Sequence, residues 1–179
     1  MERGEGDGRE GEFTLSQAEF NRLVSDHASA LYRLAFRLVG DAHEAEDVVQ
    51  DTFRSAWKGR ARFDAARGGR AWLAAILRRR VADRWRRRPP PRLADFEAEL
   101  EIGVLAADPL FDQFTDEMQQ ALDRLPLTLR ESLLLVVVGE LTHQEAADVL
   151  GVPLGTVLSR VSRARMRLRE YWLAEQKRD

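Results

Sequence analysis

Apolar residues recur along this chain at intervals of three and four, the spacing of helices with one buried face, and no stretch shows the sustained alternation of strands. Phe20, Leu23, Val24, Leu31, Leu34, Ala35 and Leu38 form the first stripe. Ser16 with Glu19 opens it and Gly40 closes it. A serine whose side chain accepts from the third backbone N–H, with a glutamate reaching back, marks a helix start, and glycine marks a stop because it enters the left-handed conformation without strain. Asp41 and Glu44 repeat the start signal for a second helix through Val48, Val49, Thr52, Phe53, Ala56 and Trp57, so two amphipathic helices form a hairpin. A loop carrying Gly68 and Gly69 leads to a third helix, Arg70 to Arg88, which Pro89, Pro90 and Pro91 terminate.

Leu93 to Phe111 has little periodicity, with Gly103 and Pro109 interrupting it. Helical spacing resumes from Gln113 to Arg124 (Phe114, Met118, Ala121, Leu122, Leu125), Pro126 breaks it, and Thr128 to Val138 is a strongly apolar helix. The β-branched residues of Leu133 to Val138 would also suit a strand, but the preceding LTLRES and the helical surroundings favour helix. From Leu141 to Arg169 two helices are joined by a turn too short to lay them antiparallel: Thr142 and Glu145 cap the first, Ala146, Val149 and Leu150 share its apolar face, Gly151 ends it, and Pro153 suits the first turn of the second. This is a helix-turn-helix. The fold expected is all-α, with two small helical domains: a disordered tail (1–12), an N-terminal helical domain (13–91), an acidic linker (92–112) and a C-terminal helix-turn-helix domain (113–179).

Charge sharpens that division. The formal net charge is only −2, yet Arg54 to Arg92 is overwhelmingly basic while Leu93 to Asp123 holds no Lys or Arg. Cysteine is absent, which excludes disulfides and thiolate metal sites. MERGEGDGREGE lacks the apolar core of a signal peptide and no segment has the apolar length of a membrane span, so a soluble, cytoplasmic protein without membrane insertion is expected. His27, His43 and His143 are scattered and no carboxylate cluster has metal spacing, so neither an enzyme nor a metal or other cofactor is expected.

On the last helix, projected at about 100° per residue, Val157, Val161, Ala164 and Leu168 form the buried stripe. Leu158, Ser159, Ser162, Arg163 and Met166 lie opposite, with Thr156, Arg160 and Arg167 on one shoulder and Arg165 on the other. Short polar groups and one Arg aimed outward, with cations on both shoulders, suit a DNA major groove, and Gly155 leaves the backbone bare for a phosphate at the helix N-terminus. A helical hairpin with a merely solvated Arg-rich face is the plain alternative.

The third helix turns Leu73, Ala74, Leu77, Val81 and Trp85 inward. Trp72, Ile76, Arg79, Arg80, Asp83 and Arg87 fall together on its other side, and Arg84 is counted with them. Aromatics interleaved with Arg suit single-stranded nucleic acid, since bases stack on rings while guanidinium groups follow phosphates. Trp72 taken alone fits core packing equally well.

DAHEAEDVVQDTFRSAWK (Asp41 to Lys58), RFDAARGGRAWLAAILRRRVADRWRRR (Arg62 to Arg88), ALDRLPLTLRESLLL, and ELTHQEAADVLGVPLGTVLSRVSRARMRLR, in that order, resemble a bacterial RNA polymerase sigma factor of the extracytoplasmic-function group, over nearly all of Phe20 to Arg169. The resemblance implies a transcription initiation subunit that recruits core RNA polymerase to promoter DNA, for a stress or envelope regulon. It implies docking on the polymerase clamp helices through Asp47, Val48, Gln50, Asp51 and Phe53. The third helix and the loop before it would read and melt the minus-ten element, the helix-turn-helix would bind the minus-thirty-five element, and the linker would thread into the polymerase cleft. Arg79 stands where similar sequences often carry Asn, and Leu158 where they often carry a basic residue, which points to an apolar contact with a thymine methyl. With no further domain after Arg169, regulation is expected from a separate anti-sigma factor. A stand-alone helix-turn-helix regulator is the main rival, and the Arg-rich third helix argues against the ligand-sensing domain it would need.

Overall fold

The computed structural model describes residues 14–65, 68–87 and 116–175; the expected tail and linker lie outside these residues. In order the elements are α1 (Gln17–Val39), α2 (Ala42–Lys58), a 3-10 turn (Arg60–Arg62), α3 (Gly69–Arg87), α4 (Asp116–Asp123), α5 (Leu127–Val137), α6 (His143–Leu150) and α7 (Leu154–Glu175). All regular structure among the described residues is helical, and the boundaries follow from local chemistry. Ser16 Oγ accepts from Glu19 N–H at 3.3 Å while Glu19 Oε2 accepts from Ser16 N–H at 2.9 Å. These bonds to Ser16 hold the Glu19 carboxyl below its ordinary range. Asp41 Oδ1 accepts from Glu44 N–H at 2.8 Å, and Gly40 ends α1 with φ 77°.

Helices α1, α2 and α3 bury Leu31, Leu34, Ala35 and Leu38 against Ala45, Val48, Val49 and Ala56 and against Leu73, Ala74, Leu77 and Val81. Thr52 is fully buried among them and its hydroxyl donates to Val48 O at 2.7 Å, which satisfies it inside this layer. Helices α4 to α7 form a second bundle around α5. Residues Leu129 to Leu135 are buried without a break, because α1, α6 and α7 pack around α5. The β-branched residues follow that stretch in the last turn, with Val136 half-buried, Val137 exposed and Val138 buried, and the enclosed turns before them carry the helix through the run.

The two bundles share one apolar core, a relationship the linear pattern did not show. α1 packs on α5 and α3 packs on α6. A Cβ on Gly139 would stand 3.3 Å from Leu34 Cδ2 and 2.7 Å from Leu135 O, so glycine permits the close approach of α5 to α1. Arg37 of α1 is 4% exposed and its guanidinium donates to Gln119 Oε1 of α4 at 3.0 Å. Burial lowers its pKa to about 10, with Asp116 and Asp123 pulling the other way, so it stays charged at neutral pH.

Candidate nucleic-acid and polymerase interfaces

Local capping builds the helix-turn-helix. Thr142 N–H donates to Glu145 Oε2 at 2.7 Å and Glu145 N–H to Thr142 Oγ1 at 3.2 Å, so α6 starts where the sequence places it. Gly151 is left-handed (φ 66°) and its N–H returns to Ala147 O and Asp148 O. Pro153 lies just before α7, its carbonyl accepting from Thr156 N–H at 2.9 Å and Val157 N–H at 3.3 Å. Val157 and Ala164 are fully buried and Val161 is 3% exposed, which seats α7 on α5 and α6.

The opposite face is therefore open. Leu158 is 47% exposed and Met166 56%, and Ser159, Ser162, Arg163, Arg165 and Arg167 are exposed beside them, with Thr156 and Arg160 half-buried at the edge. A Cβ on Gly155 would meet nothing within 4 Å, so backbone is bare at this end of the helix. Arg163 lies along the helix: its Nε donates to Ser159 O at 3.2 Å and Nη2 to Ser159 Oγ at 3.1 Å.

On α3 the expected strand-binding set divides. Trp72, Ile76, Arg79 and Arg80 line a cleft of about 510 Å³ together with Arg62 and Ser55. Trp72 is half-buried and packs edge-on against Phe63, ring centroids 5.1 Å apart, so one face is core while the residue still borders the cleft. Phe63 and Arg62 belong to the loop before α3 that the resemblance implicates, although neither was named from sequence as a contact. Asp83, Arg84 and Arg87 line a separate hollow of about 220 Å³ with Val48 and Asp51, and Arg80 borders both. Asp83 is taken by Arg80 and Arg86 on its own helix.

Two expected site residues are engaged with neighbouring elements. Arg84 points to α2, where its Nε is 3.2 Å from Glu44 Oε2 and its Nη1 3.7 Å from Asp47 Oδ2; the bond to Glu44 raises its pKa further. It ties two helices, and its third-exposed side chain borders the hollow with Arg80 and Arg87. Val48 is 3% exposed and packed into the core, reaching the surface only at the hollow it borders with Asp51. The rest of that ridge is accessible: Asp47, Gln50 and Asp51 are exposed, Arg54 donates to Asp51 Oδ1 at 3.0 Å and to Gln50 Oε1 at 3.3 Å, and Phe53 is half-buried against the core. Among the described residues no group of His, Asp and Glu is placed to hold a metal, and no helix is long and apolar enough to cross a membrane.

Residues 23–89 match the family of sigma-70 region 2, and residues 115–168 match sigma-70 region 4. The ECF RNA polymerase sigma factor SigW of Bacillus subtilis is 30% identical over 166 residues, covering 86% of this chain and 89% of that one. The chain belongs to the extracytoplasmic-function sigma factors. SigE of Mycolicibacterium smegmatis is 35% identical over 158 residues, and there the match spans 85% of this chain but only 61% of its relative. Among solved structures the sigma factor is similar to CnrH, in complex with the cytosolic domain of CnrY (28% identity, TM-score 0.67, 89% of this chain and 90% of that one). It is also similar to RpoE of Bartonella quintana, in complex with the anti-sigma factor NepR (28% identity, TM-score 0.70, 86% and 96%). As a family member the sigma factor directs promoter recognition in transcription initiation and is not an enzyme. The cleft at Trp72 is walled by residues of its region 2 and by Glu145, Asp148 and Val149 of its region 4, which also carries the open face of α7.

Proposed function

We propose that this sigma factor docks on core RNA polymerase through the exposed α2 ridge of Asp47, Gln50 and Asp51, with Phe53 at its edge, and reads promoter DNA with two separate surfaces. The α7 face takes the minus-thirty-five element as duplex: Ser159, Ser162 and Arg163 meet base edges, Leu158 meets a thymine methyl, and Thr156, Arg160, Arg165 and Arg167 flank phosphates near Gly155. The cleft of Trp72, Ile76, Arg79 and Arg80, extended by Arg62, takes the opened minus-ten strand, and Arg87 follows its backbone. The functional domains are 13–91 and 113–179, joined by the acidic segment 92–112. The protein acts in the cytoplasm, and an anti-sigma factor holds it inactive, as the CnrY and NepR complexes of its structural neighbours suggest by analogy.

One observation carries this reading: two basic surfaces on different bundles, one on a helix-turn-helix and one around an aromatic cleft. The test is reconstitution of the purified chain with core polymerase on a library of genomic fragments. Promoter-specific transcripts that require both proteins are expected. DNA binding with no polymerase-dependent transcript would instead favour the stand-alone regulator.

A further inference from the structure

The outward face of α7 is short of groups that tell bases apart by hydrogen bonding. From Leu154 to Met166 the helix contains no Asn, Gln, Asp, Glu, Lys or His. In the major groove adenine is read by an amide and the cytosine amino group by a carboxylate, so neither pairing is available here, while Arg163 suits guanine. Ser159 and Ser162 add hydroxyls, which donate or accept and so tolerate a thymine O4 and a cytosine amino group alike.

What the face offers instead is apolar surface. At about 100° per residue Met166 falls opposite Val157; Val157 is fully buried and Met166 is 56% exposed. Leu158 is 47% exposed at the edge of the same face. Neither side chain belongs to the apolar core, and the two lie about 12 Å apart along the helix axis, too far to share a base pair. The apolar group that a base pair displays in the major groove is the methyl on pyrimidine C5. Thymine always carries it, and cytosine carries it once that carbon has been methylated.

We infer that α7 reads C5-methylated pyrimidines at two positions, one through Leu158 and one through Met166, and that 5-methylcytosine serves in place of thymine at both. This rests on the reading that the α7 face takes the upstream promoter element as duplex. A methyl that meets the branched end of Leu158 or the flexible thioether of Met166 leaves water, and that gain is the same whether the base beneath it is thymine or methylated cytosine. Methylation of cytosine at either position therefore raises the affinity of the sigma factor for the element, and a covalent mark on the promoter regulates its use.

The test uses holoenzyme assembled from core polymerase and the full chain, selected first on duplexes randomised across the upstream element. The best duplex is resynthesised with single thymines replaced by deoxyuridine, which removes only the methyl, and with cytosine or 5-methylcytosine at the same places opposite guanine. Deoxyuridine should weaken binding roughly threefold at each of two positions, and 5-methylcytosine should bind roughly threefold more tightly than cytosine at the same two. The preference for thymine over deoxyuridine should vanish at one position in Met166→Ala and at the other in Leu158→Ala. Both preferences should persist in Val137→Ala, which removes an exposed apolar side chain of α5. All three side chains are exposed, so the variants fold, and circular dichroism melts check this. Equal affinity for thymine and deoxyuridine at every position overturns the inference. Preferences that survive both α7 substitutions also overturn it, because the methyl then acts through the shape of the DNA itself. A deoxyuridine effect without a 5-methylcytosine effect overturns the interchange of the two bases. A selection that yields no preferred upstream sequence overturns the duplex reading of α7, and it does so before any methyl has been removed.

Discussion

Arg84 Nε lies 3.2 Å from Glu44 Oε2, so the last turn of α3 is tied to the first turn of α2. Glu44 also sits where the helix dipole favours an anion, and the pair is only about a third exposed on the arginine side. Arg84→Ala should therefore lower stability by about 1 kcal/mol while leaving the salt dependence of DNA binding unchanged. Chemical denaturation beside a salt titration of promoter binding checks both; a reduced salt slope would return Arg84 to the phosphates.

Trp72 serves the core and the cleft together. Full burial would make Trp→Ala cost about 3–5 kcal/mol; with one face against Phe63 and one edge at the cleft, Trp72→Ala should cost about 2 kcal/mol. It should also reduce open-complex formation. A thermal melt paired with a permanganate footprint reads the two effects, and loss of stability without loss of opening would confine Trp72 to packing.

Arg163 and Arg165 should fail differently. Arg163 shares the outward face with Ser159, to which it is hydrogen-bonded in the free protein, and must leave that serine to read a base. Arg163→Ala should cost about 1–3 kcal/mol and relax preference at particular upstream base pairs, whereas Arg165→Ala should weaken all sequences alike and reduce the salt slope by about one. Holoenzyme binding to a randomised upstream element at several salt concentrations decides; identical, sequence-independent losses would mean that Arg163 contacts only backbone.

Asp51 is exposed and pairs along its own helix with Arg54 at 3.0 Å. Asp51→Arg should change stability by less than about 0.5 kcal/mol yet weaken association with core polymerase severalfold. Undiminished co-purification with the core enzyme would remove this ridge from the docking surface.

His27 gives the fold a pH dependence of known sign. Its Nδ1 is buried without a hydrogen-bond partner, and desolvation, then the nearby Arg70, lower its pKa, against smaller upward pulls from Asp26 and Glu140. The unfolded chain, titrating near about 6.5, takes the proton first, so the stability in question is full above that value and is lost as pH falls through it toward the folded pKa. Melts at pH 7.5 and 5.5 should show a smaller acid loss for His27→Gln than for the unaltered protein; equal losses would show that His27 does not titrate in this window.

Helix starts and stops were legible in the sequence because they are local. Ser16 with Glu19, Thr142 with Glu145, and Gly40 and Gly151 each satisfy or release backbone groups within a few residues, and the structure places these caps where the pattern did. The inward stripe of α7 was legible for the same reason, since its 3.6-residue period needs no knowledge of the partner. Which neighbour covers a given face is another matter. Arg84 was counted with the Trp72 face, yet on the helix it lies about 120° round from Trp72, on the side where α2 offers Glu44 and Asp47. Val48 belonged to the apolar stripe by period and to a docking surface by resemblance, and only packing against α1 and α3 decides for the core.

The sequence by itself determined seven helices, the caps of α1, α2 and α6 and the outward chemistry of the recognition helix, because each depends on residues within one or two turns of one another. The tertiary structure alone decided that the two bundles close on each other, that Arg70 meets Glu140 seventy residues away, and that Glu145 and Asp148 stand across the cleft from Trp72. No periodicity encodes such pairings, since they depend on how whole helices pack, and many opposite charges in a chain could pair before the apolar faces of α1 and α5 choose among them.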